Sequence, residues 1–315
     1  MRAVCFSPDG TISVEDRPDP QPGAGEVLVA VRSAGLNAAD LLQAKGFYPA
    51  PAGSPADILG MELAGEVTAL GAGATRFCVG DRVMAVVGGG AQAELCVVHE
   101  RCLMPVPDGV SWVAAGGFPE AALTAVDALF SQCHLAMGER LLVQGAAGGV
   151  GSIAVQLGSG AGASVVASVR SAERRAGVAA LAPNIVAIDP AEVAAHGPYD
   201  VILELVGGPN LATDLASLAM GGRICVIGVG AGAKADINLL ALMAVRGSIH
   251  ASTLRARPLE GKAAVSRLVE QRAVPLLGDG RIRVPASATF DISEAPAAYA
   301  AFAAGTKLGK VVLTT

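Results

Sequence analysis

The sequence predicts an α/β protein of two parts, one β-rich and one built on a doubly wound parallel sheet. Three observations carry this reading. Residues 1 to about 115 hold several short strand-type runs broken by Gly- and Pro-rich turns. From Arg140 onward, strand-type runs alternate regularly with helix-type segments. The first of these strands, Arg140-Leu141-Leu142-Val143-Gln144, enters the turn Gly145-Ala146-Ala147-Gly148-Gly149-Val150-Gly151 and then the helix-compatible run Ser152-Ile153-Ala154-Val155-Gln156-Leu157.

In order, the first part predicts strands at residues 3–6, 11–15 and 27–31, punctuated by Pro18, Pro20, Pro22 and Gly23. The run Val27-Leu28-Val29-Ala30-Val31 is continuously apolar, as in a strand buried on both faces. Residues 37–45 have helical spacing and residues 46–51 form a loop. Further strands are expected at 65–70, 82–87 and 93–98. Near Trp112 the chain turns alanine-rich and helical, to about Phe130. The alternating part then predicts strands at 140–144, 164–168, 184–188, 200–206, 223–228 and 248–253. Helices are expected at about 149–161, 172–181, 210–218 and 237–244. The tail predicts a helix at 260–272, strands at 281–284, 288–292 and 310–315, and a helix at 293–304.

With 315 residues, 52% of them hydrophobic, the chain is long enough for two domains and can bury a large core. The net charge of -5 gives no basic footprint for nucleic acid or an anionic membrane. No apolar run approaches membrane-spanning length, and the start MRAVCFSPDG lacks a signal-peptide stretch, so a soluble cytoplasmic protein is expected. The six cysteines form no C-x-x-C pair, and the four histidines are scattered. A zinc site is not expected, and the cysteines read as small buried hydrophobes.

The glycine turn explains what the sheet is for. It follows a strand, opens a helix and begins the alternation, which is the context that gives a glycine fingerprint meaning. Backbone N–H groups and the positive end of a helix dipole meet at such a turn and suit a pyrophosphate. Gly145, Ala146, Gly148, Gly149, Val150 and Gly151 are therefore candidate dinucleotide contacts. After the strand at 164–168 no carboxylate stands where a ribose hydroxyl would be bound. Arg170, Ser171 and Arg174 stand nearby instead and can donate to a 2′-phosphate, which favours NADPH over NADH. The alternative for the arginines is a solvated helix face. Val206 and Gly228, at the ends of later predicted strands, and Leu254, just after the last, complete the candidate cofactor contacts.

Several blocks in order carry a resemblance that runs nearly end to end. They are Ser33-Ala34-Gly35-Leu36-Asn37-Ala38-Ala39-Asp40, Gly46-Phe47-Tyr48, Leu59-Gly60-Met61-Glu62-Leu63-Ala64-Gly65, Val79-Gly80-Asp81-Arg82-Val83, Ala121-Ala122-Leu123-Thr124-Ala125, the glycine turn, and Leu308-Gly309-Lys310-Val311-Val312. The chain resembles the zinc-free quinone oxidoreductases of the medium-chain dehydrogenase/reductase superfamily. The segments Gly88-Gly89-Gly90-Ala91-Gln92-Ala93 and Ser252-Thr253-Leu254-Arg255-Ala256-Arg257 look most like the stress-inducible quinone oxidoreductase branch.

The resemblance implies a GroES-like catalytic domain (residues 1–119, completed by 257–315) with an inserted Rossmann domain (120–256), NADPH as hydride donor, and a homodimer. It implies that Asn37 and Met61 stand where zinc-dependent relatives place a cysteine and a histidine ligand. A quinone accepts hydride readily, so the protein mainly has to orient two ring systems and exclude water. By resemblance, Asn37, Tyr48 and Thr124 lie near nicotinamide and substrate. Each has a plainer alternative: a helix cap for Asn37, a loop aromatic covering the domain edge for Tyr48, an ordinary helix residue for Thr124. Met61, Glu62 and Asp40 read as structural. Pro190 stands where many NADPH-using members carry a tyrosine. Two other functions stay open, reduction of small enones or enoyl thioesters and NADPH binding as a redox sensor with little catalysis.

Overall fold

The computed structural model describes residues 1–305 and 308–315. Its elements are, in chain order, β1 (Arg2–Phe6), β2 (Ile12–Asp16), β3 (Glu26–Gly35), α1 (Ala38–Ala44), β4 (Glu62–Leu70), β5 (Arg82–Val86), β6 (Leu95–His99), β7 (Leu103–Pro105), α2 (Trp112–Gly116) and α3 (Pro119–Val126). The alternating part follows: β8 (Arg140–Gln144), α4 (Gly149–Gly160), β9 (Ser164–Ser168), α5 (Ala172–Ala179), β10 (Ile185–Ile188), β11 (Tyr199–Glu204), α6 (Leu211–Ala216), β12 (Leu218–Val226), α7 (Leu239–Ala244) and β13 (Ser248–Ala251). The tail adds α8 (Leu259–Arg272), α9 (Val274–Gly278), β14 (Ala286–Asp291), α10 (Ala295–Ala303) and β15 (Lys310–Thr314). Among the described residues no helix is long and apolar enough to cross a membrane.

Two compact units form. One comprises Met1–Leu123, Leu254–Gly280 and Val284–Thr315; the other comprises Thr124–Thr253 with Arg281–Arg283. In the first unit β14, β15, β3, β4, β5 and β7 lie side by side, with β6 also paired to β3. All neighbours are antiparallel except β14 and β15. One face covers a core of Val27, Val29, Val31, Leu63, Val83 and Leu103. The run 27–31 is therefore not buried on both faces. Leu28 and Ala30 on its other face are only half-buried, as befits an antiparallel sheet with a single packed face. Gly65 is obligatory here, because a Cβ would stand 2.1 Å from the Ala30 carbonyl oxygen of the paired strand.

A buried ion pair ties the first unit together. Glu62 opens β4 and Lys310 opens β15, both are buried, and their charged ends form an ion pair. The Lys310 ammonium also donates to Asn37 Oδ1 at 2.8 Å. Asn37 Nδ2 donates to Glu62 Oε1 at 2.9 Å, and the Glu120 backbone N–H donates to Glu62 Oε2 at 2.9 Å. Two strands and the starts of α1 and α3 thus share one charged centre.

The second unit is a six-stranded sheet in the order β10-β9-β8-β11-β12-β13, with every pair parallel. Leu141–Val143 and Val165–Ala167 are buried continuously, as in a parallel sheet covered on both faces. The chain moves from β8 outward to β10 and returns to β11 beside β8, so the order reverses between β8 and β11.

The segment 281–284 is not a strand. Its polar backbone pairs with a side chain: Arg283 N–H donates to Gln156 Oε1 at 2.8 Å, and Gln156 Nε2 donates to the Arg283 carbonyl at 2.9 Å. Strand β7 and helix α9 lie outside the expected elements; each is a short apolar run that itself contains a proline, with no period to betray it. Cys78 is exposed, unlike the other five cysteines, because it lies in a turn with its N–H on Asp81.

The charged centre gives a stability prediction. Lys310→Met leaves Glu62 as an uncompensated buried charge and is expected to lower the unfolding free energy by roughly 3–5 kcal/mol. Pairing it with Glu62→Gln is expected to recover most of that loss. Urea unfolding of the parent and both variants checks this; an unchanged midpoint for Lys310→Met alone would refute it.

Candidate cofactor site and active-site residues

The turn after β8 is built by contact. Gly145 has φ 72°, a left-handed conformation that a side chain rarely takes. Its carbonyl accepts the Gly148 N–H at 3.1 Å, and the Ala146 N–H donates to Ser168 O of β9 at 3.1 Å. Gly151 must lack a side chain, since a Cβ would stand 2.6 Å from Gly145 O and 2.7 Å from Ala146 Cα. That contact draws the first turn of α4 down onto the strand end. Gly148, at the N-cap of α4, offers no side chain to cap the helix. A Cβ at Gly148 would meet only Gly145 O, at 3.4 Å, so that side of the turn is open. The helix start can thus offer N–H groups to an anion.

Beside it, β9 ends at Ser168, and Arg170 and Ser171 follow immediately. Arg170 is exposed, Ser171 occupies the N-cap of α5 without capping it by its side chain, and Arg174 lies one turn into that helix, half-buried. The neighbouring Arg175 is committed elsewhere. It forms an ion pair with Asp189 at the end of β10 and donates to Val169 O at 3.0 Å. Asp189 also caps a short 3-10 turn that begins at Pro190.

At the end of β11, the buried Glu204 carboxylate accepts from the N–H groups of Val206 and Gly207 and from Asn210 Nδ2 at 3.0 Å. The segment carrying Val206 is therefore held by charge-assisted hydrogen bonds. Gly228 packs against the same turn; its N–H donates to Glu204 O at 3.1 Å, and a Cβ would overlap Leu205 O at 2.2 Å. Asp214 is buried with one oxygen accepting from Gln144 Nε2 at 2.8 Å. Burial first, then the nearby Glu204 carboxylate, push it well above the usual carboxylate range.

Of the residues expected near substrate, Asn37 and Tyr48 lie in the first unit, and Thr124 opens the second, buried on α3. Asn37 stands at the N-cap of α1, and its N–H donates to Asp40 Oδ2 at 2.8 Å, the return bond of a capping box. Its amide bridges Lys310 and Glu62. Burial pushes Asp40 up to about 6. Tyr48 is half-buried in the loop after α1, where burial first and the Glu120 charge second raise its phenol above its ordinary range. Leu254 belongs to the first unit and is buried, as is Met61.

Sequence reading missed Glu204, Asp214, Lys310 and Arg255 as organising groups. The available signal was a charge set inside an apolar run, as in Val201-Ile202-Leu203-Glu204-Leu205-Val206 and Lys310-Val311-Val312-Leu313. Such charges are seldom fully buried unless paired.

Known proteins resemble this chain in sequence and fold. The alcohol dehydrogenase GroES-like domain family matches residues 23–108, and the zinc-binding dehydrogenase family matches residues 161–313. An acryloyl-coenzyme A reductase of Metallosphaera sedula is 30% identical over 96% of this chain and 96% of its own length. A quinone oxidoreductase of Pseudomonas aeruginosa is 33% identical over 93% of this chain and 92% of its own length. The chain also aligns with a polyketide synthase protein of Streptomyces orinoci, NorB, at 34% identity over 98% of this chain but only 14% of that protein. Among solved structures, the quinone oxidoreductase from Thermus thermophilus, solved alone and with NADPH, superposes with a TM-score of 0.87 at 32% identity, all of both chains being covered. The chain belongs to the medium-chain dehydrogenase/reductase superfamily of oxidoreductases.

Proposed function

We propose that this protein is an NADPH-dependent oxidoreductase of the cytoplasm that passes hydride to quinones or similar electron-poor conjugated carbonyls without zinc. The observation that carries the reading is the open, uncapped glycine turn after β8, beside the strand end that bears Arg170, Ser171 and Arg174. Gly145, Ala146, Gly148, Gly149, Val150 and Gly151 would hold the pyrophosphate. Arg170, Ser171 and Arg174 would hold the 2′-phosphate. Val206, Gly228 and Leu254 would line the rest of the bound dinucleotide, the first two on a turn braced by Glu204. When bound, NADPH supplies the hydride. The NADPH complex of the Thermus quinone oxidoreductase supports this choice of cofactor.

A catalytic zinc does not fit the residues around Asn37. The amide there already receives the Lys310 ammonium, which would repel a divalent cation. Met61 is a thioether, a soft and weak donor for zinc. The protein's own groups must therefore do the orienting. Asn37 keeps a lone pair on Oδ1 for a ligand N–H. Tyr48, with its phenol raised, stays protonated at neutral pH and can donate to an acceptor oxygen. Thr124 offers a further hydroxyl in this reading.

The acryloyl-coenzyme A reductase relative favours a second reading, reduction of a conjugated enone or enoyl thioester. Initial rates with NADPH and an ortho-naphthoquinone, benzoquinone or an alkenal separate the two. Quinone turnover well above alkenal turnover is expected; alkenal turnover with no quinone activity would overturn the first reading. A homodimer is also proposed. The apolar side chains Leu239, Leu240 and Met243 of α7 stand exposed near the edge strand β13, which suits a second copy. Leu240→Glu is expected to shift sedimentation toward the monomer; an unchanged sedimentation coefficient would count against this face. Finally, Arg170→Glu with Arg174→Glu is expected to weaken NADPH by roughly a hundredfold, the scale of one or two charge-assisted hydrogen bonds, and NADH by less than about threefold. Equal losses for both cofactors would refute the assignment.

A further inference from the structure

Arg255 is an unusual residue to find inside the first unit. Its side chain is almost wholly buried, and each of its three nitrogens donates to an uncharged oxygen. Nε donates to Gly88 O at 2.7 Å, Nη1 to Tyr48 O at 3.0 Å and Nη2 to Gln43 Oε1 at 2.5 Å. The guanidinium also lies over the Tyr48 ring, 5.3 Å from its centroid, within the range of a cation–π contact. One group thus grips the Tyr48 backbone and ring together and ties both to α1 and to the glycine segment after β5.

The surroundings support this aim. Gln43, which receives Arg255, donates in turn to Ala56 O at 3.2 Å, so both ends of the loop after α1 are anchored through one pair of side chains. Lys262 of α8 donates to the Arg255 carbonyl at 3.3 Å and fixes the backbone behind it. The charged groups bearing on the pair are Asp40 of α1 and Glu120 of α3. Burial lowers the arginine, and Asp40 and Glu120 oppose that shift. Burial and then Glu120 raise the Tyr48 phenol, which Arg255 lowers. A planar fork is needed for this task, since a lysine cannot donate in three directions while lying flat on a ring.

We propose that Arg255 is the positioning residue for Tyr48, fixing the loop backbone and ring together so that the phenol has one orientation toward the acceptor oxygen. This rests on the reading of Tyr48 as a substrate-side donor given above. The cation beneath the ring also draws electron density from the phenol and makes it a better hydrogen-bond donor.

Three variants test it: Arg255→Met, Arg255→Lys and Tyr48→Phe, with the Arg255→Met/Tyr48→Phe double variant. Two readouts are used on the whole protein. Amide hydrogen exchange over residues 46–58 is expected to rise in Arg255→Met and partly in Arg255→Lys, with β3 and β4 unchanged. With the favoured quinone, kcat is expected to fall about tenfold in Arg255→Met at little cost in KM, and by less than about twofold when Tyr48 is already Phe, because coupled residues are not additive. Arg255→Lys, which keeps charge and folds more readily, is expected to fall between parent and Met variant. Unchanged exchange over 46–58 overturns the proposal, and so does an equal loss of kcat in both Tyr48 backgrounds. A Tyr48→Phe variant with parental kcat, alongside raised loop exchange in Arg255→Met, removes the substrate role of Tyr48 and with it the catalytic part of the proposal.

Discussion

The ion pair between Glu62 and Lys310 is the constraint on which the first unit depends. Burying two charges costs several kcal/mol each, and attraction offsets this only when the remaining donors and acceptors are satisfied. Here they are: Asn37 bridges the pair, and the Glu120 N–H meets the second carboxylate oxygen. A network of this kind tolerates one arrangement and penalises others, so it fixes register as well as stability. Strands β4 and β15 are not neighbours in the sheet, since β3 lies between them. The pair therefore sets how three strands align, and it brings the starts of α1 and α3 to the same point.

The second unit uses the same device at its strand ends. Glu204 finishes β11 and then holds the turn beyond it, accepting from two successive backbone N–H groups and one side-chain amide. Gly151 lets α4 press on the turn after β8. In both places the polar or missing side chain shapes a loop at the carboxyl edge of a parallel sheet, where ligands of such sheets are bound. Regular elements supply rigidity, and a few exceptional residues at their ends shape the loops of the candidate site.

Much of this is legible in the sequence. The strands β8 and β9 match their predicted ranges to the residue, because unbroken apolar runs bounded by glycine or by a charged helix start have few alternatives. The glycine turn is legible for the same reason. The segment 281–284 looks like a strand in sequence, yet Gln156, 127 residues from Arg283, satisfies its backbone, and no local pattern records that. The run 27–31 looks buried on both faces, since composition alone does not say whether a second layer covers a sheet. Candidate site residues divide in the same way. Those that act through backbone conformation, such as Gly145, leave a local mark. Arg255 and Lys310 act through partners distant in the chain, and their meaning emerges only from contacts.

The discontinuity of the first unit has a consequence for how the protein is made. Thr124–Thr253 is a nearly continuous stretch and can acquire its sheet as it leaves the ribosome. The first unit has no such freedom. Glu62 is synthesised early, but its counter-charge arrives only with Lys310, on the last strand of the sheet. Until then the nascent β-rich segment must keep that carboxylate hydrated and its partner strand positions open. The charged centre of the first unit can therefore close only after the whole of Thr124–Thr253 has been translated.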